Sequence, residues 1–178
     1  MKITIPIIAS IVVVISLVGC NKSSSSLEVA AMTGDIDSVK AQIDAGADVN
    51  LPADKPPLYT ATAFAGDLLR DPRPDMQARE KSYTKIVELL VSAGADLDAQ
   101  DSAGDAALAR AARSGHKEIV QLLISKGADV NLMLYSGRTQ TALDRAMSAG
   151  EPETAALLRK HGGKTRAELE ASESGPRD

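Results

Sequence analysis

One phrase occurs three times and governs what this chain can become. It reads Gly46-Ala47-Asp48-Val49-Asn50, then Gly94-Ala95-Asp96-Leu97-Asp98, then Gly127-Ala128-Asp129-Val130-Asn131, with a worn fourth copy at Gly162-Gly163. Each copy follows an apolar run, at residues 39–43, 86–91, 119–124 and 155–158. A glycine just past an amphipathic run takes φ > 0 without a Cβ penalty and closes a helix. The phrase therefore predicts four helix ends.

The spacing upstream is more demanding still. Gly34 and Gly46, Gly115 and Gly127, and Gly150 and Gly162 are each 12 residues apart. Each earlier glycine lies seven residues after a leucine (Leu27, Leu108, Leu143), and each leucine is followed at +3 by an alanine (Ala30, Ala111, Ala146). A unit thus reads short helix, glycine, second helix, glycine. Gly94 and Gly127 are 33 residues apart. With that period, with Asp101-Ser102-Ala103-Gly104 as a D-x-x-G turn, and with Ser114-Gly115-His116-Lys117-Glu118-Ile119-Val120 and Thr141-Ala142-Leu143, the chain resembles the ankyrin repeat over residues 27–164. It departs from the usual Thr-Pro-Leu-His start, which here reads Pro56-Pro57-Leu58-Tyr59, Ala106-Ala107-Leu108-Ala109 and Thr141-Ala142-Leu143-Asp144. The resemblance implies an all-α solenoid of about four helix-turn-helix repeats with short hairpin or loop fingers. It also implies a concave surface of fingers and first helices that binds a partner.

Composition agrees with stacked short helices. The 44% of apolar residues include one Phe and no Trp, so close helix approach through alanine must build the core. The formal charge is −4, and loss of Lys2 with a leader makes it −5. A mildly acidic domain without a basic stripe argues against a nucleic-acid partner. The single cysteine, Cys20, excludes an intramolecular disulfide.

Cys20 stands at the end of a distinctive start. Met1-Lys2 carries positive charge, residues 3–18 are almost wholly apolar, and Leu17-Val18-Gly19-Cys20 follows. A charged start, a short apolar stretch and small residues before a cut describe a secretory signal, short for a spanning helix. The ending resembles the lipobox of bacterial lipoproteins. That resemblance implies cleavage before Cys20 and lipidation (palmitate among the acyl chains) of Cys20. Two or three chains hold firmly where one is marginal. Asn21, which is not Asp, implies export to the outer membrane, facing the periplasm. The expected organisation is a cleaved leader at 1–19, a Ser-rich flexible tether at 20–26, a repeat domain at 27–165, and a tail at 166–178 whose residues 166–170 add a helical turn.

Within the repeats, Asp35 and Asp37 open a helix near its positive end. The finger at 51–57 holds three prolines and cannot be a regular hairpin. Repeat two carries an insertion near 67–82: Gly66 and Ile86 are 20 residues apart where Gly115 and Ile119 are four. Pro72 and Pro74 break any helix there, and Asp75 is expected to cap a lengthened second helix. His116 occupies a place where ankyrin repeats commonly carry His, which implies a structural role. The finger at 132–140 opens with Leu132, Met133, Leu134 and Tyr135; packing on the neighbouring finger would hide some of these side chains, and an apolar tip left exposed marks a contact site.

No catalytic constellation is visible: both histidines fall on repeat or capping positions, no phosphate loop follows a strand, and no His/Cys ligand cluster exists. Neither cofactor nor metal is expected. The chain reads as a protein-binding module, monomeric on its own, whose candidate contacts are Lys55, Tyr59, Arg70, Arg73, Arg79, Asp101, Arg113, Met133, Tyr135 and Arg138. Arg113 and Ser114 match positions that face the ankyrin groove. Small lipid-anchored binders without catalytic residues resemble immunity proteins that neutralise periplasm-delivered toxins, such as phospholipases. The alternative is an envelope scaffold or stress-protection lipoprotein without a toxin partner.

Overall fold

The computed structural model describes residues 24–69, 73–135 and 139–173. Among them run nine helices and no strand: α1 (Ser24–Thr33), α2 (Ile36–Asp44), α3 (Pro57–Leu68), α4 (Pro74–Ser92), α5 (Ala107–Ser114), α6 (Lys117–Ser125), α7 (Ala142–Ala149), α8 (Pro152–Lys160) and α9 (Arg166–Glu173). The odd-numbered helices α1, α3, α5 and α7 stack in order as one layer, and α2, α4, α6 and α8 stack behind them. Each first helix packs on its own second helix, so the molecule is an all-α solenoid of four helix pairs. The leader, Cys20, Arg70 and Arg138 lie outside the described residues.

The core follows the sequence register. Leu27, Leu58, Leu108 and Leu143 are buried on the first layer, with Ala30, Ala61, Ala111 and Ala146 at +3. The second layer contributes Val39, Ile86, Val87, Leu90, Ile119, Val120, Leu123 and Leu158. Alanine at the helix contacts lets neighbouring axes approach closely, so small side chains fill a thin core at native density.

The repeated phrase closes the helices as its glycines require. Gly46, Gly94, Gly127 and Gly162 all have positive φ, between 79° and 98°. The next N–H reaches back across the last turn: Ala47 donates to the Gln42 carbonyl at 2.9 Å, Ala95 to Leu90 at 3.0 Å, Ala128 to Leu123 at 3.1 Å and Gly163 to Leu158 at 2.8 Å. This is the left-handed C-cap that satisfies orphan carbonyls. The polar residues of the phrase then tie repeat to repeat. Within each copy the Asp carboxylate accepts from the N–H two residues on, at 2.9 Å (Asp48, Asn50), 3.0 Å (Asp96, Asp98) and 2.8 Å (Asp129, Asn131). The last side chain of each copy accepts from the next: Asn50 from Asp96 N–H at 2.7 Å, Asp98 from Asp129 N–H at 2.9 Å, and Asn131 from Lys164 N–H at 2.8 Å. Asp35 caps α2 by accepting from Ser38 N–H at 3.1 Å, with Asp37 in the first turn.

Four expectations need correction. First, Gly66 does not end a helix: α3 continues through it to Leu68. A Cβ at Gly66 would run into Ser114 of α5, so this glycine serves close approach between two helices rather than a turn. Second, the insertion does give a long second helix, 19 residues against nine for α2, α6 and α8, but Asp75 does not cap it. Arg73 holds the N-cap position without a side-chain bond that caps the helix, and Pro74 starts the helix at its first position, where a missing N–H is harmless. Third, α1 takes in residues 24–26, assigned above to the tether, because first-turn N–H groups need no intrahelical acceptor. At the other end, α9 is a full eight-residue helix rather than a turn. Arg159 binds the Glu168 carboxylate through both guanidinium arms at 2.5 and 2.9 Å and so docks α9 on α8. Fourth, the apolar finger tip is mostly hidden: Leu134 is buried, Leu132 and Met133 are half-buried, and Tyr135 alone of the four is exposed.

The fingers are minimal. Gln100–Ala106 and Leu134–Gln140 form one antiparallel bridge each, and the finger at 51–57 has none. They stack edge to edge through Ser102 N–H to Asp54 O at 2.9 Å and Tyr135 N–H to Gly104 O at 3.1 Å. Gln100 adds a side-chain bond to the Met133 carbonyl at 3.1 Å. Leu134, at the bridge of the third finger, is buried with the apolar core. The lengthened α4 braces the first repeat: Tyr83 is fully buried, stacks on Phe64 with ring centroids 5.4 Å apart, and donates its hydroxyl to the Met32 carbonyl of α1 at 2.8 Å.

Candidate protein-binding groove

A first-layer helix in mid-array is covered by its second helix and its two neighbours, so only a narrow strip faces out beside the fingers. Counting two and five residues past each core leucine identifies that strip: Val29 and Met32 on α1, Thr60 and Ala63 on α3, Arg110 and Arg113 on α5, Arg145 and Ser148 on α7. The cavities agree with the register. Arg113, Gln140, Arg145, Ser148 and Ala149 line a cleft of about 460 Å³, in which a finger residue meets two first helices. Next to it, Gly66, Asp67, Arg110, Arg113 and Ser114 line one of about 230 Å³. Arg113 borders both.

At the base of the strip, fingers and helices form a charged network. Arg110 pairs with Asp67 from the end of α3. Arg145 lies 3.8 Å from Asp105 at the foot of the second finger, with both side chains largely buried. Burial pushes the Asp105 carboxyl above its ordinary range, and the Arg145 charge only partly offsets that. Tyr59 lies beside the same acids. Burial first, then the charges of Asp105 and Asp101, push its phenol up to about 12, so it stays a neutral hydroxyl. Asp101 is half-buried and occupied in its own turn, accepting from the N–H groups of Ala103 and Asp105 at 2.9 Å each.

Of the residues singled out in the sequence, the structure brings Tyr59 and Asp101 together, close to Arg110, while Arg113 lines the two clefts with Arg110 and Arg145. Tyr135 is 71% exposed on the third finger, while Met133 beside it engages Gln100 through its carbonyl. Lys55 is exposed on the first finger, 4.0 Å from Glu28 of α1. Arg73 and Arg79 are exposed on α4, in the second layer, and do not share the strip with Arg113. Sequence reasoning missed Arg145, Asp105 and Asp67. Register alone would have found Arg145, two residues past Leu143 as Arg110 is past Leu108.

A family model of ankyrin repeats, in three copies, matches residues 76–168, just over half of the sequence. The chain belongs to the ankyrin-repeat family. The match begins within α4, inside the insertion that breaks the regular spacing; the α1–α2 pair before it repeats the same architecture. A comparison with curated proteins finds no match. Ankyrin repeats mark the chain as a protein–protein interaction module.

The second layer carries its own features. His116 is buried at the N-cap of α6, with Nε2 2.6 Å from a Glu80 oxygen of α4 and 3.3 Å from the Thr84 hydroxyl. It joins two ankyrin second helices. Around it, Leu69, Glu80, Lys81, Lys85 and Glu118 contribute to a cleft of about 460 Å³ on the outer face. Among the described residues no group of three or more His, Cys, Asp or Glu is placed to hold a metal, and no helix is long and apolar enough to cross a membrane.

Proposed function

We propose that this ankyrin array is a lipid-anchored module on the periplasmic side of a bacterial outer membrane, held through Cys20, that binds one dedicated protein partner in its groove. In its sharpest form it is an immunity protein that blocks a toxin delivered into the periplasm, such as a phospholipase, by occupation rather than by catalysis. The observation that carries the reading is the convergence of Arg110, Arg113, Gln140 and Arg145, from two first helices and a finger, on two adjoining clefts, with Tyr59 of α3 close to Arg110. The leader ending in Leu17-Val18-Gly19-Cys20 supports the anchor and the compartment. A second reading, an envelope scaffold, is favoured by the outer cleft at α4 and α6, because a scaffold engages partners on two faces.

The test is site-specific photo-crosslinking in bacterial envelopes, with the photoreactive residue at Ser148 in the groove or at Lys85 on the outer face. A single dominant adduct from Ser148 supports the groove. Adducts from Lys85 alone would overturn it, and adducts from both favour the scaffold. If the Ser148 adduct is a secreted hydrolase, directing that hydrolase to the periplasm should kill cells that lack the chain and spare those that carry it.

A further inference from the structure

The groove strip is polarised. On α1 and α3 it presents Val29, Met32 and Ala63, with Val29 48% and Met32 42% exposed. On α5 and α7 it presents Arg110, Arg113 and Arg145. Arg110 and Arg145 each have an acid beside them, in Asp67 and Asp105. Arg113 is exposed, lies between the two clefts, and makes no hydrogen bond or ion pair with any described residue. Asp67, Asp101 and Asp105 match the three cations in number, but Asp67 is taken by Arg110, Asp105 lies beside Arg145 and Asp101 is occupied in its own turn, so Arg113 is the guanidinium of the strip at which an incoming anion meets no competitor among the described residues.

From these observations we infer that the groove receives an extended segment of the partner protein whose apolar side chains lie over Val29 and Met32 and whose carboxylates end at Arg113. The inference rests on the groove reading above and adds the chemistry of the partner. Length follows from helix spacing. Stacked helices lie about 8–10 Å apart, so the span from α1 to the cleft between α5 and α7 is about 20–25 Å, which about seven residues of extended chain at ~3.3 Å each would cover. A carboxylate is the matching group because the guanidinium fork accepts it through two parallel N–H···O bonds. A membrane surface fits less well: Arg110 and Arg145 are recessed, with side chains 19% and 16% exposed, and a flat array of headgroups cannot reach them.

Fluorescence anisotropy on the full chain in detergent tests this with a labelled peptide, Leu-Val-Leu-Gly-Asp-Glu-Glu. Three comparisons accompany it: the amide analogue ending Asn-Gln-Gln, a peptide of the same composition with acidic and apolar residues interleaved, and phosphatidylglycerol vesicles. The acidic peptide should bind about tenfold or more tightly than either control peptide. Arg113→Ala and Arg113→Gln should each erase that preference, Arg113→Lys should keep part of it, and Lys160→Ala on the outer face should leave it unchanged. Equal binding of the acidic and amide peptides, lost in Ala63→Arg, would overturn the carboxylate assignment while the groove stands. Failure of every peptide to bind, alongside a Ser148 crosslink to a partner protein, would do the same. Equal binding of the interleaved peptide would overturn the polarity. Vesicle binding that depends on Arg113 and exceeds peptide binding would replace the protein segment with a lipid surface. Absence of any Ser148 adduct tells against the groove itself, whatever the peptides do.

Discussion

Asp98 is the one place where the inter-repeat stitch uses a charged acceptor. Asn50 and Asn131 make the same bond with a neutral amide oxygen, so the molecule contains its own control. Asp98 is half-buried, and its carboxyl is held above its ordinary value of 3.8 by burial first; the Asp129 N–H offsets part of this, and the charges of Asp129 and Asp96 add to it. A carboxyl whose folded-state pKa exceeds the unfolded one favours folding while both states keep the proton. That advantage is lost as pH rises from the unfolded value through the folded one. Asp98→Asn keeps an oxygen to accept from Asp129 N–H and removes the charge. Two partly exposed like-charge neighbours are worth about 0.2–0.5 kcal/mol each, so the substitution should stabilise the array by roughly 0.5–1 kcal/mol at pH 7 and by nothing at pH 3. The midpoint should rise by about 2 °C. Asp98→Ala removes the acceptor and should lose about 1 kcal/mol at pH 3, where no charge contributes. Urea unfolding followed by circular dichroism, at both pH values and low salt, separates the cases. An Asp98→Asn protein less stable than the parent at pH 7, or equally stabilised at both pH values, would refute the reasoning.

The bond from the Tyr83 hydroxyl to the Met32 carbonyl satisfies one of the open carbonyls at the end of α1, so Tyr83→Phe should lose about 1 kcal/mol. Because the hydroxyl reaches repeat one only, amide exchange should accelerate in α1 and α2 before it does in α6; uniform acceleration would show that the array does not fray from that end. Arg159, and then Thr165 N–H, depress the Glu168 carboxyl to about 2, so the α9 latch is complete above 4.5 and is lost as pH falls towards 2. Amide protection in α9, taken relative to intrinsic exchange at each pH, should fall over that window in the parent protein and be low throughout in Glu168→Gln; an α9 as well protected in Glu168→Gln as in the parent at pH 5 would disprove the latch. Cys20→Ala should leave an uncleaved precursor that takes up no palmitate analogue, and labelling that persists in this variant would remove the lipoprotein reading.

What the sequence disclosed and what it withheld have one physical basis. The helix ends were legible because φ > 0 is a local demand that glycine alone meets easily, and Gly46, Gly94 and Gly127 recur with the apolar runs before them. Gly66 misled because its reason is not local. The position seven residues past Leu58 is Ala65, which cannot readily take φ > 0, so α3 has no cause to stop there. One residue on, Gly66 answers instead to Ser114, 48 positions away. Leu134 looked like an exposed tip for the same reason, since it is buried with an apolar core that only the assembled stack encloses. The Asp105–Arg145 pair, 40 residues apart in sequence, needed the stack before it could be seen.

The groove shares that division. Positions at 0 and +3 from each core leucine carry the packing, and there the four units agree: Leu with Ala every time. Positions +2 and +5 lie outside that apolar packing, and there the residues vary: Val29 and Met32, Thr60 and Ala63, Arg110 and Arg113, Arg145 and Ser148, with Arg shared at +2 by the last two units. Stability does not require the exposed members of that strip, Val29 and Met32 at one end and Arg113 at the other, because exposed side chains on a helix face contribute only tenths of a kcal/mol, whereas Arg110 and Arg145 are recessed and paired with Asp67 and Asp105. A cause outside the fold is needed. An extended partner whose own character changes along its length supplies one, and it accounts for why Arg113 has no acid of its own among the described residues.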